Sequence, residues 1–299
     1  MKTKSMLICL SLSALLFAPN IFAQDEDLLK DVEDQKAKKE YVTGAFKSSR
    51  VIMSHSTEML RPGVLDFRIL HRFGNVNQGI SQFFGLDDAT IRLGLDYGIS
   101  DNLTIGIGRS SYKKELDGFI KYRPIQQATG AGALPFSLVL VGGTTLNTLP
   151  FAQPARKNYF SSRMGYYGQA VVGRKFSEKV TLQVMPTVVH QNLVTTSQDP
   201  NDLYAAGIGG RFKISKRVAL TADYYLVLNE NERLANFHNP LSLGFDIETG
   251  GHVFQLHFTN AIGMNERVFL TETTNDWANG DIQFGFNISR SFQLKKKKG

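Results

Sequence analysis

The chain has 299 residues, a formal net charge of +7, 21 Phe, 10 Tyr and 27 Gly, and one cysteine. A single thiol excludes a disulfide framework and a Cys-ligated zinc, and Cys9 falls in an N-terminal apolar run that an exported protein would lose. No segment carries the roughly 18 successive apolar residues of a membrane helix, and no basic stripe is interleaved with aromatics, so no nucleic-acid partner is expected.

Lys2 and Lys4 precede an apolar stretch from Met6 to Phe17, with Ile21-Phe22-Ala23 before Gln24, and this reads as a secretory signal peptide over residues 1–23. The stretch is too short to span a bilayer comfortably, which disfavours an N-terminal anchor. Signal removal lowers the charge to +5. Lys295 to Lys298 supply four of those charges, so the basic character belongs mainly to a tail over residues 293–299. That tail is expected to be solvated or to meet acidic head groups, peptidoglycan or a periplasmic partner. Residues 24–42 form a charged leader, its DEDLLKDVEDQKAKKE run holding seven acids against four bases with too few apolar groups to make a core.

From Thr43 the texture becomes one of short alternating runs. Phe46 to His55 is strand-like and ends near the turn signal Arg61-Pro62-Gly63. Val64 to Phe73 then alternates, with Leu65, Phe67, Ile69 and His71 on one face and Asp66, Arg68, Leu70 and Arg72 on the other. Three hairpins share a short polar turn opened by serine: Ile99-Ser-Asp-Asn-Leu103, Phe176-Ser-Glu-Lys-Val180 and Ile214-Ser-Lys-Arg-Val218. These turns set Tyr97 against Ile105, Val172 against Val184 and Phe212 against Leu220. A fourth hairpin, LSLGFDIETGGHVFQLHFTN over 241–260, turns at Gly250-Gly251, where two glycines accept positive φ without strain. Its register pairs Phe245 with Leu256 and Asp246 with Gln255, giving one apolar and one charged face.

Such faces suit a soluble sandwich or a membrane barrel, and the connections decide between them. Residues 74–88, 147–160, 192–201, 229–239 and 262–280 are long and irregular, whereas the serine and glycine turns are short. Short turns on one rim and long loops on the other belong to outer-membrane barrels. Strands near 64–73, 89–99, 103–111, 116–123, 136–146, 162–176, 180–191, 203–214, 218–228, 241–249, 252–260 and 281–292 predict an all-β, antiparallel, up-and-down transmembrane barrel of about 12 strands. Residues 43–62 are then left over as a further strand, a periplasmic cap or a segment inside the lumen, and the even count favours the last two. The closing strand carries Ile282, Phe284, Phe286, Ile288 and Phe292 on one face. Trp277, Tyr97, Tyr166, Tyr204 and Tyr224 suit interfacial girdles. Pro186 falls inside a strand, where its missing N–H predicts a bulge.

The face opposite the lipid gathers Asp66, Arg68, Arg72, Arg92, Asp96, Asp117, Lys121, Arg123, Arg211, Asp223, Asp246, Glu248, Gln255 and His257, expected to line the lumen. Interspersed signs suit either a salt-bridged interior or a polar constriction. A lipid hydrolase is the enzymatic rival. Yet His55 beside Ser54 and Ser56 alternates with them across a strand, and His252 and His257 fall on opposite faces, so neither a dyad nor a shared metal follows. No catalytic residue, cofactor or metal ligand is expected.

The runs Phe46-Lys-Ser-Ser-Arg-Val-Ile, Gly63-Val-Leu-Asp-Phe-Arg-Ile-Leu-His-Arg-Phe-Gly74 and Glu248-Thr-Gly-Gly-His-Val-Phe-Gln-Leu-His-Phe-Thr-Asn260 resemble an uncharacterised outer-membrane β-barrel family of Bacteroidota-type bacteria, domain of unknown function 5777. The resemblance covers nearly all of the mature chain. It implies a location and an architecture and no activity. The expected function is that of a passive channel or small-solute transporter in the outer membrane of a Gram-negative bacterium. The alternatives are an occluded structural or partner-binding barrel, a lipid hydrolase and, outside the membrane, a soluble periplasmic sandwich. Outer-membrane lipid and the barrel-assembly and chaperone machinery are the expected partners.

Overall fold

The structure is a computed structural model that describes residues 39–194, 196, 199–229, 236–250 and 252–295. The expected signal peptide, most of the leader and Lys296 to Lys298 lie outside the described residues. The strands are β1 (Glu40–Tyr41), β2 (Val64–Asn75), β3 (Ala89–Ser100), β4 (Leu103–Ser110), β5 (Glu115–Ile125), β6 (Ala128–Thr129), β7 (Ser137–Asn147), β8 (Met164–Lys175), β9 (Val180–Gln191), β10 (Asp202–Lys213), β11 (Val218–Val227), β12 (Leu241–Thr249), β13 (His252–Thr259) and β14 (Gln283–Gln293). Twelve of them close into one antiparallel barrel, each beside its neighbour in sequence, with β14 returning to β2. β1 and β6 form a separate two-stranded ribbon.

The turns set the register. Gly250 takes φ 42°, and Thr249 faces His252, so Phe245 meets Leu256 and Asp246 meets Gln255 as the alternation requires. The three serine turns likewise place Tyr97 opposite Ile105, Val172 opposite Val184 and Phe212 opposite Leu220. A one-residue slip in any of them would exchange the two faces of a strand. The outer face is an apolar belt: Leu95, Ile107, Leu140, Leu182, Ile208, Phe245 and Phe258 are all exposed. Beside it His71 stacks on Phe286 at 4.8 Å, on the apolar face that the alternation assigns to it.

Two expectations are corrected. Pro186 makes no bulge: β9 keeps one register with both neighbours, and the ladder to β8 lapses beside Ala170 and Val171 before resuming. In an antiparallel sheet a residue offers its N–H to one neighbour alone, so one missing donor leaves a gap and needs no extra residue. The loop after β13 is not wholly irregular, since it folds a short helix, α1 (Glu266–Thr271), whose residues Glu266 to Leu270 are buried. Asn265 caps it by accepting from the Val268 N–H at 3.0 Å.

Candidate functional site

Strand alternation sends Asp66, Arg68, Arg72, Arg92, Asp96, Asp117, Lys121, Arg211, Asp223, Asp246, Gln255 and His257 inward, and all twelve are buried. Two expected lumen residues sit at the rim. Glu248 is half-buried and pairs with Lys47 at 2.9 Å. Arg123 reaches the β3–β4 turn instead of the lumen, donating to the Asp101 carbonyl at 2.9 Å and to Asn102. The turn offers it a carbonyl and an amide oxygen together with access to water.

On the β2–β5 wall the charges neutralise one another. Asp66 and Asp96 are directly opposed across β2 and β3, a repulsive placement that Arg68 relieves by contacting both, at 2.7 and 3.6 Å. Arg92 donates from Nε to Asp117 at 2.7 Å and from Nη2 to its second oxygen. Space for that guanidinium comes from missing side chains. A β-carbon on Gly108 would stand 2.2 Å from Arg92 Nη2, and one on Gly94 2.6 Å from Nη1.

The space inside is filled from the short-turn side by residues 46–57. Val42 donates to the Gln127 carbonyl beside the β1–β6 ribbon. The chain then turns back as a hairpin in which Arg50 and His55 face each other. Val51 donates to the Ser54 carbonyl and Ser56 to that of Ser49. The tip, Val51 to Ser54, is fully enclosed. Asp223 on β11 accepts the N–H groups of Ile52, Met53 and Ser54 at 3.3, 2.9 and 3.0 Å and the Ser54 hydroxyl at 2.8 Å on a single oxygen. Donors from other strands meet the hairpin's carbonyls: Gln255 that of Val51, Asn287 that of Ile52, Gln183 that of His55, and Lys121 that of Ser49 together with the Glu58 carbonyl just beyond it. Arg68 donates to the hydroxyls of Ser48 and Ser49, both at 2.8 Å. The hairpin therefore touches β2, β5, β9, β11, β13 and β14 through their side chains, while the twelve-strand ladder closes without it.

From the long-loop side α1 descends to meet the hairpin. Arg50 reaches Glu266 at 3.4 Å, and His55 Nε2 stands 3.6 Å from the same oxygen, all three residues being buried. Burial, helped by Arg50 and Lys121, holds the His55 imidazole well below its ordinary value. Burial pushes the Glu266 carboxyl up against the opposing pull of Arg50. Arg267 bridges Glu115 and Glu272 and so fastens α1 to the wall.

Phe269 and Leu270 of α1 pack with Ile52 and Met53 of the hairpin against Val139, Val141, Val171, Met185, Val189 and Tyr225. This apolar half of the interior was not foreseen. The strands concerned read SLVLVGG, GQAVVG and VTLQVMPTVV, apolar on successive residues, and a strand covered on both faces loses its alternation. A cavity of about 890 Å³ opens on the long-loop side over Glu115 and Arg267. One of about 200 Å³ opens on the short-turn side beside Lys47, Asp66 and Arg68.

Among the described residues no histidine is hydrogen-bonded to a serine. Ser54 bonds Asp223 and not His55. His190 has both ring nitrogens engaged, by Asp202 at 2.8 Å and Asn192 at 3.1 Å, which leaves none for a serine. Among the described residues no three His, Cys, Asp or Glu side chains are grouped to hold a metal.

A closed antiparallel barrel with an apolar outer belt and buried charges on the inward face of its strands defines a membrane β-barrel protein. The chain belongs to the family described as membrane bound beta barrel domain, domain of unknown function 5777, whose profile matches residues 46–292. That span takes in the hairpin as well as the twelve strands. No curated protein matches in sequence. Among solved structures the chain is similar to the NanC porin, at 10% identity and TM-score 0.47, over 77% of this chain and 100% of that one. It is also similar to an outer-membrane channel from Pseudomonas putida F1, at 14% and 0.43 over 79% and 98%, and to outer-membrane phospholipase A from Escherichia coli, at 12% and 0.43 over 83% and 97%. All three scores lie below 0.5, and these likenesses carry nothing about solute or chemistry.

Proposed function

We propose that this protein is a small-solute channel of the Gram-negative outer membrane, closed in the present conformation by residues 46–57 and by the loop carrying α1. The short-turn rim, with Glu40 and Leu294 beside it, faces the periplasm, and the long loops face outward. One observation carries the reading: the hairpin crosses the lumen yet contributes no backbone bond to the barrel ladder, so it can leave while every strand stays paired. Outer-membrane lipid and the barrel-assembly machinery are its general partners, and a Bacteroidota-type source is proposed on the resemblance alone. Catalysis is not part of the proposal.

Single-channel recording in planar bilayers tests it. The mature chain is expected to give rare or no openings, and a chain lacking residues 24–62 to give steady current. The apolar seat of Phe269 and Leu270 favours a second reading, an occluded structural barrel. A silent truncated chain that is still folded and heat-modifiable on gels would establish that reading in place of the first.

A further inference from the structure

The apolar outer belt does not end in the same way all round the short-turn rim. Arg174, near the end of β8, shares the outward face with Tyr166 and Val172 and is exposed. Its guanidinium reaches toward the turn and stands 5.0 Å over the ring of Phe176, itself exposed. The stem thus runs along apolar surface while the charge is carried to the rim, as a long cationic side chain does at a membrane boundary. Arg290 stands over Phe292 in the same way, at 5.1 Å, at the same end of β14.

The surroundings of Arg174 set it apart. The β8–β9 and β10–β11 turns are neighbours, joined by a bond from the Lys213 N–H to the Lys179 carbonyl at 2.7 Å. Residues 174–179 and 213–217 hold six cations, Arg174, Lys175, Lys179, Lys213, Lys216 and Arg217, against one acid, Glu178. Lys175 takes Glu178 at 2.7 Å, and among the described residues none of the other five cations has a carboxylate within ion-pair distance. Lys179, Lys216 and Arg217 are exposed. Beside them Phe176, Phe212 and Ile214 are exposed as well, so an apolar rung meets a cationic one. Other turns of this rim lack that charge: Ser100-Asp101-Asn102 carries one acid and no cation, and Thr249-Gly-Gly carries none of either sign.

We infer that the sector from β8 to β11 binds anionic phospholipid head groups in the leaflet at the short-turn rim. Arg174 and its cationic neighbours attract the phosphate, and Phe176 and Phe212 lie against the adjoining acyl chain. Clustered Lys and Arg side chains at a bilayer surface recruit anionic lipid in this way. A protein partner in the aqueous phase fits less well, since it would meet the turns and not Arg174 and Phe212, which stand on the outward face of the strands. The inference rests on the barrel lying in a membrane and holds whether or not its lumen opens.

The test puts a reporter in the sector of the full mature chain. Trp277→Phe removes the single native tryptophan, and Phe176→Trp or Ile99→Trp then places one at the same rim, in the basic sector or at the end of β3. The chains are folded into phosphatidylcholine vesicles in which a minor share of the lipid is brominated phosphatidylglycerol or brominated phosphatidylcholine. Quenching of the Phe176→Trp chain is expected to show about a fivefold preference for phosphatidylglycerol, the effect of about one cation at a charged bilayer surface, and that of the Ile99→Trp chain none. Salt should shrink the preference. Adding Arg174→Gln, Lys179→Gln, Lys216→Gln and Arg217→Gln to the Phe176→Trp chain should abolish it while heat-modifiable migration on gels is kept. Spin-labelled phosphatidylglycerol should also be immobilised by the unaltered chain more than spin-labelled phosphatidylcholine, a readout that needs no substitution. Equal immobilisation of the two lipids, or equal quenching by them at residue 176, would overturn the inference and leave the cations to an aqueous partner. A preference that is the same at residue 99, or that survives the four neutralisations, would overturn it as well.

Discussion

Asp223→Ala tests the lumen seat most directly. One carboxylate oxygen holds three successive N–H groups and a hydroxyl at the hairpin tip, and alanine leaves all four donors without an acceptor inside the barrel. A buried donor left unmet costs about 1–3 kcal/mol, and hydrogen bonds to a charged group are worth about 1.5–3 kcal/mol each. Donors sharing one oxygen are not additive, so about 3 kcal/mol is a conservative sum, or about two powers of ten in the seated-to-released ratio. The released tip regains water, and the loss therefore falls on seating and not on the barrel ladder. Hydrogen exchange followed by mass spectrometry should show the amides of residues 52–54 exchanging about a hundredfold faster, with strand amides unchanged. Asp223→Asn, which keeps one carbonyl oxygen, should fall between. Unchanged exchange at residues 52–54 in a correctly folded Asp223→Ala barrel would refute the argument that this carboxylate holds the hairpin.

Seating should also respond to pH. His55 is held neutral when seated, and a released imidazole returns to an ordinary value near 6.5 and takes up a proton, so seating weakens as pH falls below about 6.5, at up to about 1.4 kcal/mol per pH unit. Exchange at residues 52–54 should therefore quicken between pH 6.5 and 5.5, and His55→Gln should flatten that rise. Glu266, raised when seated, acts in the opposite sense as pH falls toward the ordinary carboxylate range, and Glu266→Gln should remove its contribution. Gly143→Ala would bring a β-carbon to 2.2 Å from the Tyr167 ring, an overpacking expected to cost about 1–3 kcal/mol and to lower the temperature of gel-shift unfolding. Phe269→Ala should lose about 3–5 kcal/mol of packing in the apolar half of the lumen and loosen α1, read as faster exchange of residues 266–270. Lys47→Ala breaks only a half-exposed pair and should change the midpoint by less than about 1 °C.

The barrel wall was legible because two local signals agree at every hairpin. The side-chain period of two assigns faces, and a short turn fixes which residues oppose, so Phe245 against Leu256 follows from Thr249 against His252 alone. The charged part of the interior was legible for the same reason, down to the inward facing of Arg92 and Asp117. Arg123 shows where the reasoning fails, since its parity is inward but the rim offers its long side chain carbonyls closer to water. The contents of the lumen were beyond such signals. Asp223 and Ser54 are separated by 169 positions, and no periodicity connects them. The hairpin's own pattern, Phe46-Lys-Ser-Ser-Arg-Val-Ile-Met-Ser-His55, reads as an ordinary amphipathic strand until the barrel around it is counted closed.

That closure limits how the protein can act. A barrel of twelve paired strands has no free edge, and widening its wall would break a whole ladder between two strands. Any path through it must come from moving what lies inside, and two elements do so from opposite mouths. The hairpin is tethered at the short-turn rim by the β1–β6 ribbon, and α1 hangs from the β13–β14 loop. They touch through Arg50, His55 and Glu266 in the enclosed interior. Removing either leaves the other with an unpaired buried charge, Arg50 without Glu266 or Glu266 without Arg50, and such a charge is costly until water reaches it. The two closures should therefore be coupled, so that Glu266→Ala, made in the long-loop side of the lumen, speeds exchange at residues 52–54, and Arg50→Ala speeds it in α1. A double variant should fall short of the sum of the two singles, because each single change already removes the shared contact. Strictly additive effects would mean that the hairpin and α1 close the lumen independently, and that an opening signal at one mouth is not felt at the other.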